Sequence, residues 1–396
     1  MSEQLQTDAV VVGAGIAGLW SAKELVDRGM RVVVVEKDSA LACGQTTRNE
    51  GWLHAGTYHS VAIANEEDAL RVTERTMYGH DAIVAFAPES IDHRVSYALT
   101  ASSEFTEKAL ERWGFANIPH RRLAPHRLPD ADRIDTSRVD AAFRVKDKSV
   151  NSVTLCRRLA AHIIANGGSI ITNAEFTPVD ATQAQVRVDG YNDYTIHSER
   201  FLLAAGAGLN KLVDLITGRE LPMRYFQAHL LVTPRLTQDN YFYLDTGEAG
   251  IMSHGMASIV GINRDGKELN QPSYTVDQSK EQLVHDAVER MLPGAQEHRS
   301  DSSRVVTIAC CKPDIYQSTT DTQSLNVQLF DIAPNYTCAL PGKMTESPYL
   351  GRAAAFHLLG ENSDTIIDSS ISYHTDLQGL PPITPRPADR WMQSAA

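Results

Sequence analysis

The sequence predicts an α/β fold in which a domain of parallel strands and crossover helices is interleaved with a second, α+β domain built on an antiparallel sheet. Three observations predict it. Residues Asp8 to Glu36 read as strand, glycine-rich turn, helix and strand. The α/β pattern returns twice, near 150–215 and 335–360. Between these returns, Met223–Val232, Tyr241–Leu244 and Ser258–Gly261 read as strands of a second, more antiparallel layer.

The opening stretch carries the most information. Ala9–Val12 is a strand, followed by Gly13-Ala14-Gly15-Ile16-Ala17-Gly18, a helix, and the strand Val32–Val35 closed by Glu36. Gly13 permits the tight turn, and Gly18 lets helix and strand pack closely. Gly15 leaves room for a pyrophosphate and is expected at a φ that glycine alone tolerates. Leu19, Ala22, Leu25 and Val26 share one helical face, which suits burial against a sheet. The helix N-terminus offers unpaired N–H groups to phosphates. Glu36, 18 residues beyond Gly18, is placed to accept hydrogen bonds from a ribose. A bare Gly-x-Gly-x-x-Gly is weak; these parts in this order predict a Rossmann-like dinucleotide site.

Composition narrows the class. Hydrophobic residues at 42% and charged ones at 22% of 396 residues suit an ordinary globular chain of two or three domains. The net charge of −12 disfavours nucleic acid or an anionic membrane as partner, while leaving room for a local basic pocket. Five scattered cysteines make no disulfide framework and no Cys-x-x-Cys pair. No apolar run approaches an integral membrane segment, and Met1–Thr7 is polar rather than a signal peptide, so the cytoplasm is expected.

Along the chain, residues 43–60 form a loop rich in Gly, Thr and polar aromatics, at the strand end where open α/β sheets place ligands. Residues 64–87 read as a helix with Glu66, Glu67 and Asp68 in its first turn, and 93–100 as a strand. The Pro119–Arg122 basic cluster reads as a solvated face. Leu155, Leu159 and Ile163 mark a helix stopped by Gly167-Gly168, and 175–200 a small meander. Phe201–Gly208 reads as a buried parallel strand ending in small residues, before a helix from about Asn210. Lys280–Met291 is an amphipathic helix, Leu325–Ile332 a strand, and Pro341–Pro348 a polar loop before a final helix from about Gly351. The expected domains are 1–88, 148–221 and 331–376 for the nucleotide, 89–147 and 222–330 for the substrate, and 377–396 as a tail ordered in part.

On these residues the chain resembles the FAD-dependent oxidoreductases of the D-amino-acid oxidase and glycerol-3-phosphate dehydrogenase type. The fingerprint with Glu36 and the stretch Phe201–Gly208 match that family over most of the chain. Thr47-Arg-Asn-Glu-Gly-Trp-Leu-His-Ala-Gly-Thr-Tyr58 is similar to the loop of its L-2-hydroxyglutarate dehydrogenase branch. Gly342-Lys-Met-Thr345 is similar to a glycerol-3-phosphate dehydrogenase motif beside the pyrimidine end of the flavin. Glu50 replaces a small residue, His59 an aromatic, and Lys312-Pro313 a common Arg-Pro. The resemblance implies a glutathione-reductase-type topology for the nucleotide domain and FAD as cofactor. It implies FAD contacts at Gly13, Gly15, Ile16, Ala17, Gly18, Glu36, Lys37, Thr46, Thr47, Arg48, Gly51, Trp52, Leu53, Phe176, Ala205, Gly206, Gly208, Gly342, Lys343, Met344 and Thr345. The implied activity is hydride removal from a small carboxylated substrate, a 2-hydroxy acid, or from an amine or amino acid; a flavin-binding module without turnover is the remote alternative. Oxygen, a quinone or a carrier protein is left open as electron acceptor.

Such chemistry holds the reacting carbon about 3–3.5 Å from flavin N5 and stabilises negative charge at the far end of the ring. Lys343, helped by the backbone of its loop, is the candidate for the second task. His54 is the candidate base for an alcohol proton; a loop-orienting role and covalent attachment to flavin stay open. Arg48 is a bidentate partner for a substrate carboxylate or a staple for its own loop, with Tyr58 and Lys312 as weaker candidates. His59, His229 and His254 lack helical ligand spacing and predict no metal. Cys310-Cys311 reads as a pair of small buried residues at a strand end. No Gly-x-Ser-x-Gly elbow supports hydrolysis.

Overall fold

The computed structural model describes residues 3–188, 193–245, 247–262, 267–295, 305–315, 326–360, 380–387 and 389–390. The chain divides into two compact units. The first comprises Met1–Thr47, Val153–Tyr225 and Pro313–Thr384; the second comprises Arg48–Ser152, Phe226–Lys312 and Pro385–Ala396. Residues 48–88 lie in the second unit, together with 89–152. Strand pairing is the cause: Trp52–Leu53 pairs with Lys148–Val150, which also pairs with Ile91–Asp92.

In the first unit the strands run in the order Ser169–Ile171, Val32–Val35, Ala9–Val12, Phe201–Leu203, Tyr336–Leu340 and Gln328–Ala333. All joins but the last are parallel. The valine runs are buried along their whole length, as expected for strands covered on both faces. The first helix, Ile16–Val26, is buried on every side rather than amphipathic. It packs against Ser347–Leu359 so closely that a Cβ on Gly351 would lie 2.8 Å from the Trp20 ring. Its charged residues survive burial by pairing: Lys23 reaches Asp27 at 2.7 Å, and Arg28 reaches Glu24 at 3.0 Å. A four-stranded sheet holds the predicted meander, with Glu3–Gln6 added in parallel beside Tyr194–His197. That polar N-terminal stretch is a strand the sequence does not announce.

The second unit is built on a large mixed sheet. Leu230–Pro234, Ala257–Ile262, Ala249–His254 and Asn240–Tyr243 join antiparallel, Asn240–Tyr243 then joins Ser96–Thr100 in parallel, and Ala141–Val145 and His120–Leu123 follow antiparallel. Gln278–Met291 buries Val284, Ala287, Val288 and Met291 on one side of this sheet, beside Tyr241, Tyr243 and Ile251. Trp113, Phe143, Phe242 and Trp52 form another cluster. The basic stretch at 120–122 is exposed on an edge strand, where charge discourages further pairing. Among the described residues no helix is long and apolar enough to cross a membrane.

Candidate functional site

The predicted residues fall into two groups, one in each unit. In the first, Gly13 has φ +107°, and a Cβ there would stand 2.6 Å from the Ala204 carbonyl oxygen. On Gly18 a Cβ would meet the Gly13 carbonyl oxygen at 1.9 Å. Gly15 differs from expectation: as the residue preceding the helix it has φ −76°, an ordinary value. A Cβ there would meet first the Thr46 hydroxyl, at 3.3 Å, so its smallness opens space rather than permitting a turn. Thr46 in turn accepts the Ile16 N–H at 3.0 Å, closing one side of the helix N-terminus.

Glu36 is 7% exposed and accepts the Ala14 N–H at 2.8 Å and the Asp38 N–H at 3.0 Å. Burial raises its pKa against the pull of those two donors. Each carboxylate oxygen keeps a second lone pair for a ribose hydroxyl. Gly206 has φ +54°, and its Cβ position lies 3.1 Å from the Gln45 amide oxygen. Ala205, Gly206 and Gly208 therefore reach the same turn as Gly13, on neighbouring strands. Thr47 donates to the Ala42 carbonyl at 2.9 Å. Lys37, 74% exposed at its side chain, pairs with Asp38 at 3.0 Å. The Phe176 side chain is committed to the core, 5.9 Å from the Phe201 ring. Gly342 and Lys343 are half-buried, Met344–Glu346 forms a single 3₁₀ turn, and the last helix begins at Ser347 rather than Gly351. Thr345, Glu346 and Ser347 are fully buried, so the later half of this polar loop is part of the interior.

In the second unit the loop from Arg48 to Tyr58 is held from two sides. Asp147, fully buried, accepts the Trp52 indole N–H at 3.0 Å, the Thr57 hydroxyl and the Ala55 N–H. Burial raises its pKa, and these three donors oppose the rise. At the other side His254 donates from Nε2 to the Glu50 carbonyl at 2.8 Å. Gly51 has φ +66°, and a Cβ there would lie 2.6 Å from the His254 ring. Between these anchors the His54 ring centre lies 4.3 Å from that of Trp52 and 4.4 Å from that of His59, the two imidazoles near perpendicular. Tyr58 completes the aromatic cluster, 5.4 Å from His59. Arg48 stacks over Tyr274 at 4.6 Å. Lys312 lies 3.9 Å from Glu50, whose charge raises the lysine pKa. The sequence does not mark Asp147, Tyr274 or Arg386 as partners of this loop, because each is distant in sequence. His254 stands out in it only as a rejected metal ligand.

The remaining groups have structural employment. His229 accepts the Asp277 N–H through Nε2 at 2.9 Å. Cys310 and Cys311 sit mid-strand rather than at a strand end, and burial pushes the Cys310 thiol up to about 12. Among the described residues no group of three or more His, Cys, Asp or Glu can hold a metal ion.

His254 makes the loop's stability depend on pH. Burial, and then the adjacent Arg386 guanidinium, push its pKa down to about 4, with Glu50 O, Asp92 and Asp389 opposing. The folded value lies below the unfolded one, so this site's stability is fully present above about 6.5 and lost as pH falls toward 4. About 2 kcal/mol should disappear between pH 7 and pH 5. Urea unfolding at the two pH values should show a smaller drop for His254→Gln than for the parent; equal drops would remove His254 as the source.

With this geometry in view, the family pattern described as FAD dependent oxidoreductase matches residues 8–355. The chain belongs to that family. This is the family that the resemblance in its sequence implies. Its relatives include L-2-hydroxyglutarate dehydrogenase of Escherichia coli, 42% identical over 220 residues, or 53% of this chain and 50% of that protein. Another is the anaerobic glycerol-3-phosphate dehydrogenase subunit A1 of Haloferax volcanii, 28% identical over 180 residues, 43% of this chain and 28% of that protein. The matched stretches cover 28% to 61% of three such relatives' lengths. Similar solved structures include glycine oxidase from Geobacillus kaustophilus, with TM-score 0.71 and 15% identity, covering 94% of this chain and 100% of that one. L-alpha-glycerophosphate oxidase from Mycoplasma pneumoniae with FAD bound has TM-score 0.71 and 15% identity, covering 96% and 99%. At that identity the likeness shows the fold alone.

The first unit fits FAD on its own geometry. Gly15 leaves open the space before the helix N-terminus, the Gly13 and Gly206 turns bring backbone close on either side, and buried Glu36 retains acceptor capacity at the strand end.

Proposed function

We propose that the protein oxidises a small carboxylated 2-hydroxy acid. The observation that carries this reading is the fixed imidazole of His54, in a loop anchored at Asp147 and at His254. In this reading His54 takes the hydroxyl proton of the substrate. Arg48 and Lys312 offer the positive charge for its carboxylate, and Tyr58 a hydroxyl. Gly13, Gly15, Gly18, Glu36, Thr46, Gly206 and Gly208 cradle the dinucleotide, and Lys343 with the Gly342–Thr345 backbone supplies positive charge at the flavin's pyrimidine end. Bound FAD supplies the hydride acceptor. The similarity to an L-2-hydroxyglutarate dehydrogenase supports the substrate class.

One observation favours a second reading. Glu50 places a carboxylate in the same loop, beside Lys312, and a mixed set of charges suits a zwitterion. An amine or amino acid would then be the substrate, and His54 would not be needed as a base. An anaerobic panel of 2-hydroxy acids, amines and amino acids, followed by loss of the flavin absorption band, separates the two. Bleaching by 2-hydroxy acids such as L-2-hydroxyglutarate is expected; bleaching by amines alone would overturn the first reading.

A further inference from the structure

Arg386 lies near the end of the chain, yet it is 4% exposed and directed at His254, which is equally buried. Its Nη1 donates to His254 Nδ1 at 3.2 Å. Its Nε and Nη2 donate to the two carboxylate oxygens of Asp389 at 3.0 and 2.7 Å. A guanidinium only donates, so Nδ1 must be the accepting nitrogen and the ring proton must sit on Nε2. That proton points at the Glu50 carbonyl, 2.8 Å away. The same ring abuts Gly51, whose amide is closed back onto Asn49 Oδ1 at 2.8 Å and whose carbonyl accepts from Val150 at 2.8 Å. Arg386 and Asp389 therefore act on a peptide more than 300 positions earlier through one ring.

We propose that Arg386, held by Asp389, is a positioning residue that fixes the tautomer of His254 and thereby locks the Glu50–Gly51 peptide, from which the His54 loop departs. The functional consequence rests on the reading of that loop as substrate-facing; the locking itself does not. Without the guanidinium, the proton can move to Nδ1. Nε2 then turns a lone pair toward the Glu50 carbonyl, and a hydrogen bond becomes a repulsion.

The test uses the FAD-loaded protein and the variants Arg386→Ala, Arg386→Lys, Asp389→Asn and His254→Leu. Amide hydrogen exchange over residues 48–58 should quicken about tenfold in Arg386→Ala, the scale of one buried hydrogen bond lost. Asp389→Asn should show a smaller change in the same peptide, and Arg386→Lys, which keeps a donor-only cation, should recover most protection. Nitrogen-15 histidine spectra should show His254 as the Nε2–H tautomer in the parent and a mixture in Arg386→Ala. Unchanged exchange over 48–58 in Arg386→Ala, or an unchanged tautomer, would overturn the proposal; Asp389→Asn keeps it testable should the others fold poorly. The reduction rate with L-2-hydroxyglutarate as probe separates the two readings. A slower limiting rate at unchanged apparent affinity supports both. Faster exchange with an unchanged rate supports the locking and removes the loop from the chemistry.

Discussion

His54→Asn should slow flavin reduction by a 2-hydroxy acid about 10²–10⁴-fold, the usual cost of one general base, while FAD stays bound. The variant keeps some hydrogen-bonding shape and loses basicity. The loop should survive the change. Trp52 is tied to Asp147 through its indole N–H and packs 4.3 Å from Phe242, and Thr57 holds the same carboxylate. None of these contacts passes through His54. In the parent, the limiting reduction rate should rise with pH as the imidazole loses its proton, because only the neutral ring accepts one. The variant should lose that rise. Binding of the acid should change little, since Arg48 and Lys312 are untouched. If an amine is the substrate, the pH dependence follows the amine, and the variant is only mildly impaired. Acid precipitation tests the covalent alternative: a yellow pellet from the parent and free flavin from the variant would mark attachment at His54. Reduction of His54→Asn at the parent's rate would leave the histidine a loop-orienting residue.

What the sequence reveals of this molecule follows the range of the interactions involved. The opening turn is legible because the constraint on Gly18 is local, its Cβ position meeting Gly13 within the same strand, turn and helix, although Gly13 itself is crowded by Ala204 of a distant strand. The loop at 48–58 is legible as a packed segment rather than a surface loop, since Trp52, Leu53, His54 and Tyr58 are costly to leave together in water. What holds it is not. Asp147 lies 90 residues beyond Thr57, and Arg386 lies 132 beyond His254. No periodicity links such positions. The helix Ser103–Phe115 could have been found: Ser102 caps it by accepting the Phe105 N–H, and Ala109 and Trp113 are buried one turn apart. The full burial of Ile16–Val26 could not. Lys23, Glu24, Asp27 and Arg28 mark a solvent face in any sequence pattern, yet they pair with one another in the interior, His162 of Ser152–Ala165 reaches Asp27 and the Phe356 ring of Ser347–Leu359 packs against Arg28.

The glycines of the opening turn should respond in opposite ways to the same substitution. Gly15→Val should yield a folded protein that purifies without yellow colour, and Gly18→Val should fail to fold. At Gly15 the backbone is φ −76°, ψ 178°, which valine adopts without strain. A Cβ there would stand 3.3 Å from the Thr46 hydroxyl, a contact relieved by a small shift. Loss of a good helix-capping residue costs about 1 kcal/mol, well inside a typical stability of about 5–15 kcal/mol. The valine methyls would then fill the space ahead of the helix, where the pyrophosphate must approach Ile16 and Ala17. Affinity for FAD should fall by about 10²-fold or more, the scale of an overpacked contact. At Gly18 no such escape exists. A Cβ lies 1.9 Å from the Gly13 carbonyl oxygen and 3.1 Å from its carbon, and its position is fixed by the backbone, not by a rotamer. The helix would have to leave the strand, taking with it the burial of Leu19, Ala22 and Val26 against the sheet. Circular dichroism, thermal unfolding and the 450 nm region of the visible spectrum distinguish the outcomes. A yellow, fully loaded Gly15→Val protein would show that the pyrophosphate does not pass over that residue.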